Sequence, residues 1–165
     1  QYQVIRDHAH SQFCSAVDAT AVLIMNEILS RNSLTRAIVT VRHPLDSFLS
    51  LNAHGWPLFS PATLEEYSRR YHLFLDRHAA LPSFRYEDFV DDPETVLQEM
   101  ADILGLPFDA GAVNLASVML LSGDSGRRGN RISKRSRRAI PDEIASQIEE
   151  SKTYKTLCAR LAYEM

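Results

Sequence analysis

An arginine and a serine eight residues apart stand where an apolar stretch gives way to a mixed one. Residues 37–41 read AIVTV, Arg42 follows them, and Pro44 opens the stretch that carries Ser50. A guanidinium fork binds phosphate oxygens in pairs, and the N-terminus of a helix also favours an anion. We therefore predict that Arg42 and Ser50 bind a phosphate. The alternative is that Arg42 pairs with a carboxylate such as Asp46, while Ser50 faces solvent.

A glycine-rich basic segment late in the chain is a second candidate anion site. It reads SGRRGNRI, in which Gly129 lets the backbone approach a ligand closely and the guanidinium groups of Arg127 and Arg128 supply charge. Residues 127–138 hold seven basic residues and no acid, whereas residues 85–102 hold seven acids and one base. A solvated loop is the plain alternative. Few aromatic residues interleave with the arginines, so we predict no nucleic-acid binding.

Histidines near the start of the chain supply a candidate general base. The segment RDHAHS places Arg6, His8 and His10 just after a strand-like stretch. A neutral imidazole is the usual general base near neutral pH. His8 and His10 are also spaced for a metal pair, but no cysteine cluster or HExxH spacing completes such a site, and we predict no metal. Purely structural histidines are the remaining alternative.

Strand-like and helix-like segments alternate along the chain, which predicts an α/β layer fold. The almost continuously apolar run 37–41 predicts a strand covered on both faces, and hence a parallel sheet. Ligands of such sheets bind outside the carboxyl ends of the strands, where Arg42 would lie. Two further strands are predicted in YQVIR and PSFRYEDF, and helices over residues 16–29, 45–53, 63–79, 93–104 and 141–154. The last segment is compatible with one helix or with two.

Composition limits the classes of protein to which this chain can belong. The chain has 165 residues, 45% of them hydrophobic, and a net charge of only -3, which suits one domain with a sizeable core. Two cysteines are too few for a disulfide framework and fit a reducing cytosol. The longest apolar run, residues 19–25, is too short to span a bilayer, and no signal peptide precedes it. The sequence therefore predicts a cytoplasmic protein with no membrane span.

Taken in order, these segments resemble the sulfotransferases that use 3'-phosphoadenosine 5'-phosphosulfate (PAPS). RHPLDSFLS is similar to the family's element for the 3'-phosphate of the donor, whose arginine and serine are spaced as Arg42 and Ser50 are here. FRYEDFVDDPETVLQEMADILGLPFD resembles the family's tyrosine-bearing segment and following helix, which implies that Tyr86 lies against the adenine. SGRRGNRI resembles the late Arg-Lys-Gly loop that closes over the 3'-phosphate, which implies this role for Arg127, Arg128 and Gly129.

The first segment completes the resemblance. VIRDHAHSQF is similar to the strand end that carries the family's Lys-x-His, which implies that His8 is the catalytic base and that Arg6 stands in the place of the lysine. His10 is the competing base. Arginine replaces lysine at both Arg6 and Arg128, which keeps the charge but turns a point charge into a planar fork.

The resemblance also implies a fold and an activity. The fold is a three-layer α/β fold, with a mostly parallel sheet flanked by helices as in P-loop NTPases. The activity is transfer of a sulfuryl group from PAPS to a hydroxyl or amine of a small-molecule, carbohydrate or lipid acceptor, with the oligomeric state left open. The family begins with a strand, a phosphate-binding loop and a helix that these residues do not contain. We therefore predict that residues 1–165 form one N-terminally incomplete sulfotransferase-like domain. The alternative is a non-catalytic remnant or nucleotide-binding module.

Overall fold

The computed structural model of the chain describes residues 3–15, 18–21, 23–55, 57–115, 132–134 and 136–165. The chain divides into two compact units. Unit 1 contains Gln1–Thr35, Pro44–Ala79 and Ala139–Met165, and unit 2 contains Arg36–His43 and Ala80–Arg138. The predicted loop of Arg127, Arg128 and Gly129 lies outside the described residues.

Among its described residues, unit 2 is built on two parallel strands. Strand β1 (Val39–Val41) pairs with β2 (Ser83–Arg85), and Val41 lies opposite Arg85 at the carboxyl end of both. The prediction of a strand in each of these two segments, and of a parallel sheet, is confirmed. The prediction that β1 is covered on both faces is wrong, because Val39 and Val41 are buried while Thr40 between them is exposed. In the described part of unit 2, β2 is followed by α5 (Tyr86–Asp91), α6 (Pro93–Leu104) and α7 (Gly111–Leu115).

Helix α6 begins and ends where its sequence signals predict. The Asp92 carboxylate accepts a hydrogen bond from the Thr95 N–H at 3.2 Å, and Pro93 occupies the first turn, where no N–H is needed. Hydrogen bonds from the side chain of Thr95 and then from its backbone N–H lower the pKa of Asp92, because they favour its charged form. Gly105 ends the helix in the left-handed conformation, with φ of 67°. Asp92 and Pro93 at the start and Gly105 at the end therefore set the bounds of α6 from the local sequence alone.

Replacing Gly105 with alanine is expected to destabilise unit 2 by about 1–2 kcal/mol, the cost of a left-handed non-glycine residue. An added Cβ would also lie 2.0 Å from Arg36 Nη1, so that flexible side chain would have to move. Urea unfolding followed by circular dichroism measures the loss. Gly111→Ala is the matched control, because no left-handed φ is found at Gly111. Equal stability of the two variants would contradict this account of the cap.

Unit 1 is helical. Its elements are α1 (Ala9–Phe13), a 3-10 turn (Ala19–Ala21), α2 (Met25–Leu29), α3 (Pro44–Ala53), α4 (Leu64–Arg77), α8 (Asp142–Glu150) and α9 (Lys152–Arg160). Helix α4 is central, because it contacts α1, α3, α8 and α9. Its Leu64 is fully buried, as are Tyr154 and Leu157 of α9. The predicted helix at residues 63–79 is confirmed with Thr63 as its cap, and the closing segment forms two helices.

The first predicted strand is wrong for its described residues. Residues 3–8 form neither helix nor strand, and Val4 and Ile5 are 78% and 51% exposed. An alternating pattern stabilises a strand only where a neighbouring strand supplies hydrogen bonds and burial. Where the structure describes residues 16–29, the helix predicted there is present as the 3-10 turn and α2.

Candidate functional site

Two of the predicted nucleotide-binding residues meet at the carboxyl end of the strand pair. Arg42 follows β1, and Tyr86 follows β2 as the first residue of α5. Val41 lies opposite Arg85, so the residues that follow the two strands, Arg42 and Tyr86, lie side by side. The guanidinium carbon of Arg42 lies over the Tyr86 ring, 5.3 Å from its centroid. A cation and an aromatic face are thus held together at the edge where ligands of parallel sheets bind.

One residue further along, a second contact joins the same two segments. The Glu87 carboxylate accepts a hydrogen bond from the backbone N–H of His43, with Oε1 3.1 Å from the nitrogen. His43 is only 6% exposed, so this contact lies in a mostly buried setting. The sequence analysis did not single out Glu87. No spacing pattern in the sequence indicates it, because the contact depends on the strand register, which ends with Val41 opposite Arg85.

Ser50 is positioned by α3 in unit 1. The helix begins at Pro44, as predicted, and buries Leu45, Phe48, Leu49 and Leu51. Ser50 is half-buried, and its carbonyl oxygen lies 2.7 Å from Nδ1 of His54, one turn later. Arg42 belongs to unit 2, so the convergence of Arg42 and Ser50 on one phosphate stays a prediction.

His8 and Arg6 lie in the exposed segment that leads into α1. The carbonyl oxygen of His8 accepts hydrogen bonds from the N–H and the hydroxyl of Ser11, at 3.0 and 2.7 Å, which closes the first turn of α1. An exposed imidazole at a fixed helix start is accessible to an acceptor molecule. His10 lies within α1, and the choice between the two bases stays a prediction.

Arg70 of α4 holds the C-terminal end of α1 and the residues just after it in place. Its Nη1 donates to the carbonyl oxygens of Phe13 and Ser15, at 2.9 and 3.0 Å, and its Nε donates to Glu66 at 2.7 Å. Arg70 is 7% exposed, and its guanidinium lies over the ring of Phe59, 5.0 Å from the centroid. Bonds from Arg69 first, and then from Arg70, lower the pKa of Glu66. The buried arginine of α4 therefore fixes the residues that follow α1.

The late basic segment is described only from residue 132 onward. Lys134 Nζ lies 2.7 Å from Oδ1 of Asp91, the last residue of α5. Both side chains are more than half exposed, and such surface pairs contribute about 0–1 kcal/mol. This ion pair joins the basic and acidic stretches of the sequence within unit 2.

The described part of the chain shows neither a cluster of metal ligands nor a membrane-spanning helix. No group of three or more histidine, cysteine or acidic side chains in that part is placed to hold a metal ion. None of its helices combines the length and the apolar character that crossing a membrane requires.

The fold and the site define an α/β protein with a cationic and aromatic pair at the carboxyl end of parallel strands. The family model described as "Sulfotransferase family" matches residues 35–110. The match includes Arg42, Ser50 and Tyr86, and it supports the predicted resemblance: over this segment the chain is similar to the sulfotransferase family. Sulfuryl transfer is the general activity that the family indicates. Comparisons with curated proteins and with solved structures found no match.

Proposed function

We propose that this chain binds PAPS and transfers its sulfuryl group to an acceptor hydroxyl or amine. The observation that carries the proposal is the packing of Arg42 on Tyr86 inside the segment that matches the sulfotransferase family. A guanidinium suits a phosphate and an aromatic ring suits a purine, so this pair fits an adenine nucleotide with an additional phosphate.

In this proposal, a set of cationic and polar groups binds the 3'-phosphate and selects PAPS over nucleotides without it. Arg42 supplies a fork of N–H donors, and Ser50 supplies a hydroxyl. The late basic segment closes the site with Arg127, Arg128 and Gly129. Tyr86 lies against the adenine, while its ring also packs on Arg42. The nucleotide is thereby held by its base and by the phosphate that distinguishes it.

The proposed transfer depends on proton removal and charge stabilisation. The donor, when bound, supplies an activated sulfuryl group. His8 removes the proton of the acceptor hydroxyl as its oxygen forms a bond to sulfur and the bond from sulfur to the bridging oxygen breaks. Arg6 stands beside that bridging oxygen and stabilises the negative charge that develops on it. Positioning and electrostatics supply most of the rate enhancement, as in phosphoryl transfer.

The acceptor and the larger architecture belong to the same proposal. We propose a small-molecule, carbohydrate or lipid acceptor. We also propose that the chain is a single sulfotransferase-like domain, with a three-layer fold in which helices flank a mostly parallel sheet as in P-loop NTPases.

Isothermal titration of the chain with 3'-phosphoadenosine 5'-phosphate (PAP) and with 5'-AMP tests donor binding. The 3'-phosphate adds charge-assisted hydrogen bonds, so PAP is expected to bind about 10- to 100-fold more tightly than 5'-AMP. The titration is run at two salt concentrations, because a phosphate site weakens as salt rises. Equal affinity for the two nucleotides would overturn the assignment of the arginines.

A second candidate function is a nucleotide-binding module without transfer activity. The family match begins at residue 35, so Arg6 and His8 lie outside it, and this favours the second candidate. Incubation with sulfur-labelled PAPS and a panel of phenols, sugars and lipids separates the two functions. Labelled product that disappears in His8→Ala supports the enzyme, whereas PAP binding without turnover supports the module.

A further inference from the structure

We infer that Glu87 is a positioning residue for Arg42: it holds the backbone beside Arg42 and so fixes where the guanidinium points. The inference rests on the proposed function, in which Arg42 binds the 3'-phosphate. It adds a residue that acts through its neighbour and does not itself contact the nucleotide.

The argument starts from the ends of the strands. The parallel ladder ends with the pair Val41 and Arg85, after which the two chains turn into separate helices. Beyond this point, strand hydrogen bonds no longer fix the backbone. A buried backbone N–H still needs an acceptor, and Glu87 Oε1 supplies it for His43 at 3.1 Å.

Arg42 is consequently restricted from three directions. Val41 before it is held in the ladder, His43 after it is held by Glu87, and its guanidinium lies over the ring of Tyr86. A free arginine side chain has about 2 kcal/mol of rotamer entropy to lose on binding. Fixing the side chain before the ligand arrives reduces that loss and raises affinity. This gain applies only to a ligand that contacts the guanidinium.

Substitutions of Glu87 separate a positioning role from an effect of its negative charge on the ligand. A free carboxylate near a phosphate site would repel the ligand. Here the carboxylate oxygen is used as an acceptor for a peptide N–H, which is a charge-assisted hydrogen bond. Glutamine keeps an acceptor oxygen at the same reach and removes the charge. Methionine keeps a similar length and removes the acceptor.

The test compares Glu87→Met and Glu87→Gln by titration with PAP and 5'-AMP. E87M is expected to weaken PAP binding about tenfold, a loss of about 1.4 kcal/mol, and to change 5'-AMP binding less than about twofold. E87Q is expected to stay within about threefold of the original affinity, because it retains the acceptor. Asp88→Met is the matched control, since Asp88 lies in the same turn of α5 and is 58% exposed. A general disturbance of α5 would lower the affinity for PAP and the affinity for 5'-AMP, in E87M and in D88M alike.

A second readout does not depend on nucleotide binding. In the nuclear magnetic resonance spectrum, the ring current of Tyr86 is expected to shift the Nε–H signal of Arg42, and the hydrogen bond to Glu87 is expected to protect the His43 amide from exchange. E87M is expected to move the Arg42 signal towards its position in an unfolded peptide and to speed His43 exchange about tenfold, while E87Q and D88M retain both. Glu87→Ala replaces E87M if the methionine variant does not fold.

The outcomes distinguish this inference from the proposed function. If the original chain shows no preference for PAP, the proposed function fails, and the Arg42 signal alone decides whether Glu87 positions the side chain. If the chain prefers PAP but E87M keeps that preference and the Arg42 signal, the inference is overturned while the proposed function stands. Loss of the preference in E87M with rescue in E87Q supports both.

Discussion

Replacing Arg42 with lysine is expected to weaken PAP binding about 10- to 100-fold, the effect of losing one or more hydrogen bonds to a charged group. Lysine keeps the positive charge, but it loses the fork that binds two oxygens at once and the flat face that packs on Tyr86. The affinity for 5'-AMP is expected to change less than about threefold, because that nucleotide lacks the 3'-phosphate. Titration of both nucleotides into R42K measures the two changes.

Arg85→Lys is the matched control for this experiment. Arg85 precedes Tyr86, is partly buried, and has Asp88 as its acidic neighbour at 3.9 Å. It has no role in the proposed phosphate site, so R85K is expected to keep the preference for PAP. An equal loss for both nucleotides in R42K would place the effect in folding or in the adenine contact. An unchanged preference would remove Arg42 from the phosphate site.

Local sequence signals predicted the helices of this chain well where the residue that gives the signal also stabilises the end of the helix. Asp92 caps α6 with its own side chain, and Gly105 ends the helix because it adopts the left-handed conformation at low cost. The opening strand failed because its stability depends on a neighbour that the pattern cannot show. The burial of β1 was predicted too broadly for the same reason, since a run of apolar letters does not say which face meets another layer.

The residues of the candidate site likewise divide into those that the sequence predicted and those that it did not. Arg42 and Tyr86 were predicted from separate motifs, and the register of two short strands brings them together. Glu87 and Arg70 were not predicted, because each acts on backbone atoms of a distant segment. A side chain that binds a distant carbonyl or N–H leaves no spacing pattern in the sequence. Such residues become visible only when the fold supplies the partner.

Replacing Arg70 with methionine is expected to lower the free energy of unfolding by about 3 kcal/mol, since one buried and one partly buried carbonyl oxygen each lose a donor. These are the carbonyls of Phe13 and Ser15, bound at 2.9 and 3.0 Å. The cation–π contact with Phe59 is lost as well. Arg69→Met is the matched control, because Arg69 also pairs with Glu66 but is 55% exposed, and exposed pairs contribute about 0–1 kcal/mol. Urea unfolding measures both variants.

Cys14 reports whether the loss is local to the segment that Arg70 holds. It lies between Phe13 and Ser15, and burial raises the pKa of its thiol to about 11, so in the folded chain it is poorly reactive. Opening of the segment exposes Cys14, and R70M is expected to speed its labelling by a thiol reagent at least about tenfold under native conditions, while R69M does not. Mass spectrometry assigns the adduct to Cys14 and separates it from Cys158, which is buried elsewhere in the same core. Equal labelling rates in R70M and R69M would show that other contacts hold the segment. A faster rate in R70M alone makes the buried arginine of α4 the residue on which the placement of α1, and of His8 before it, depends.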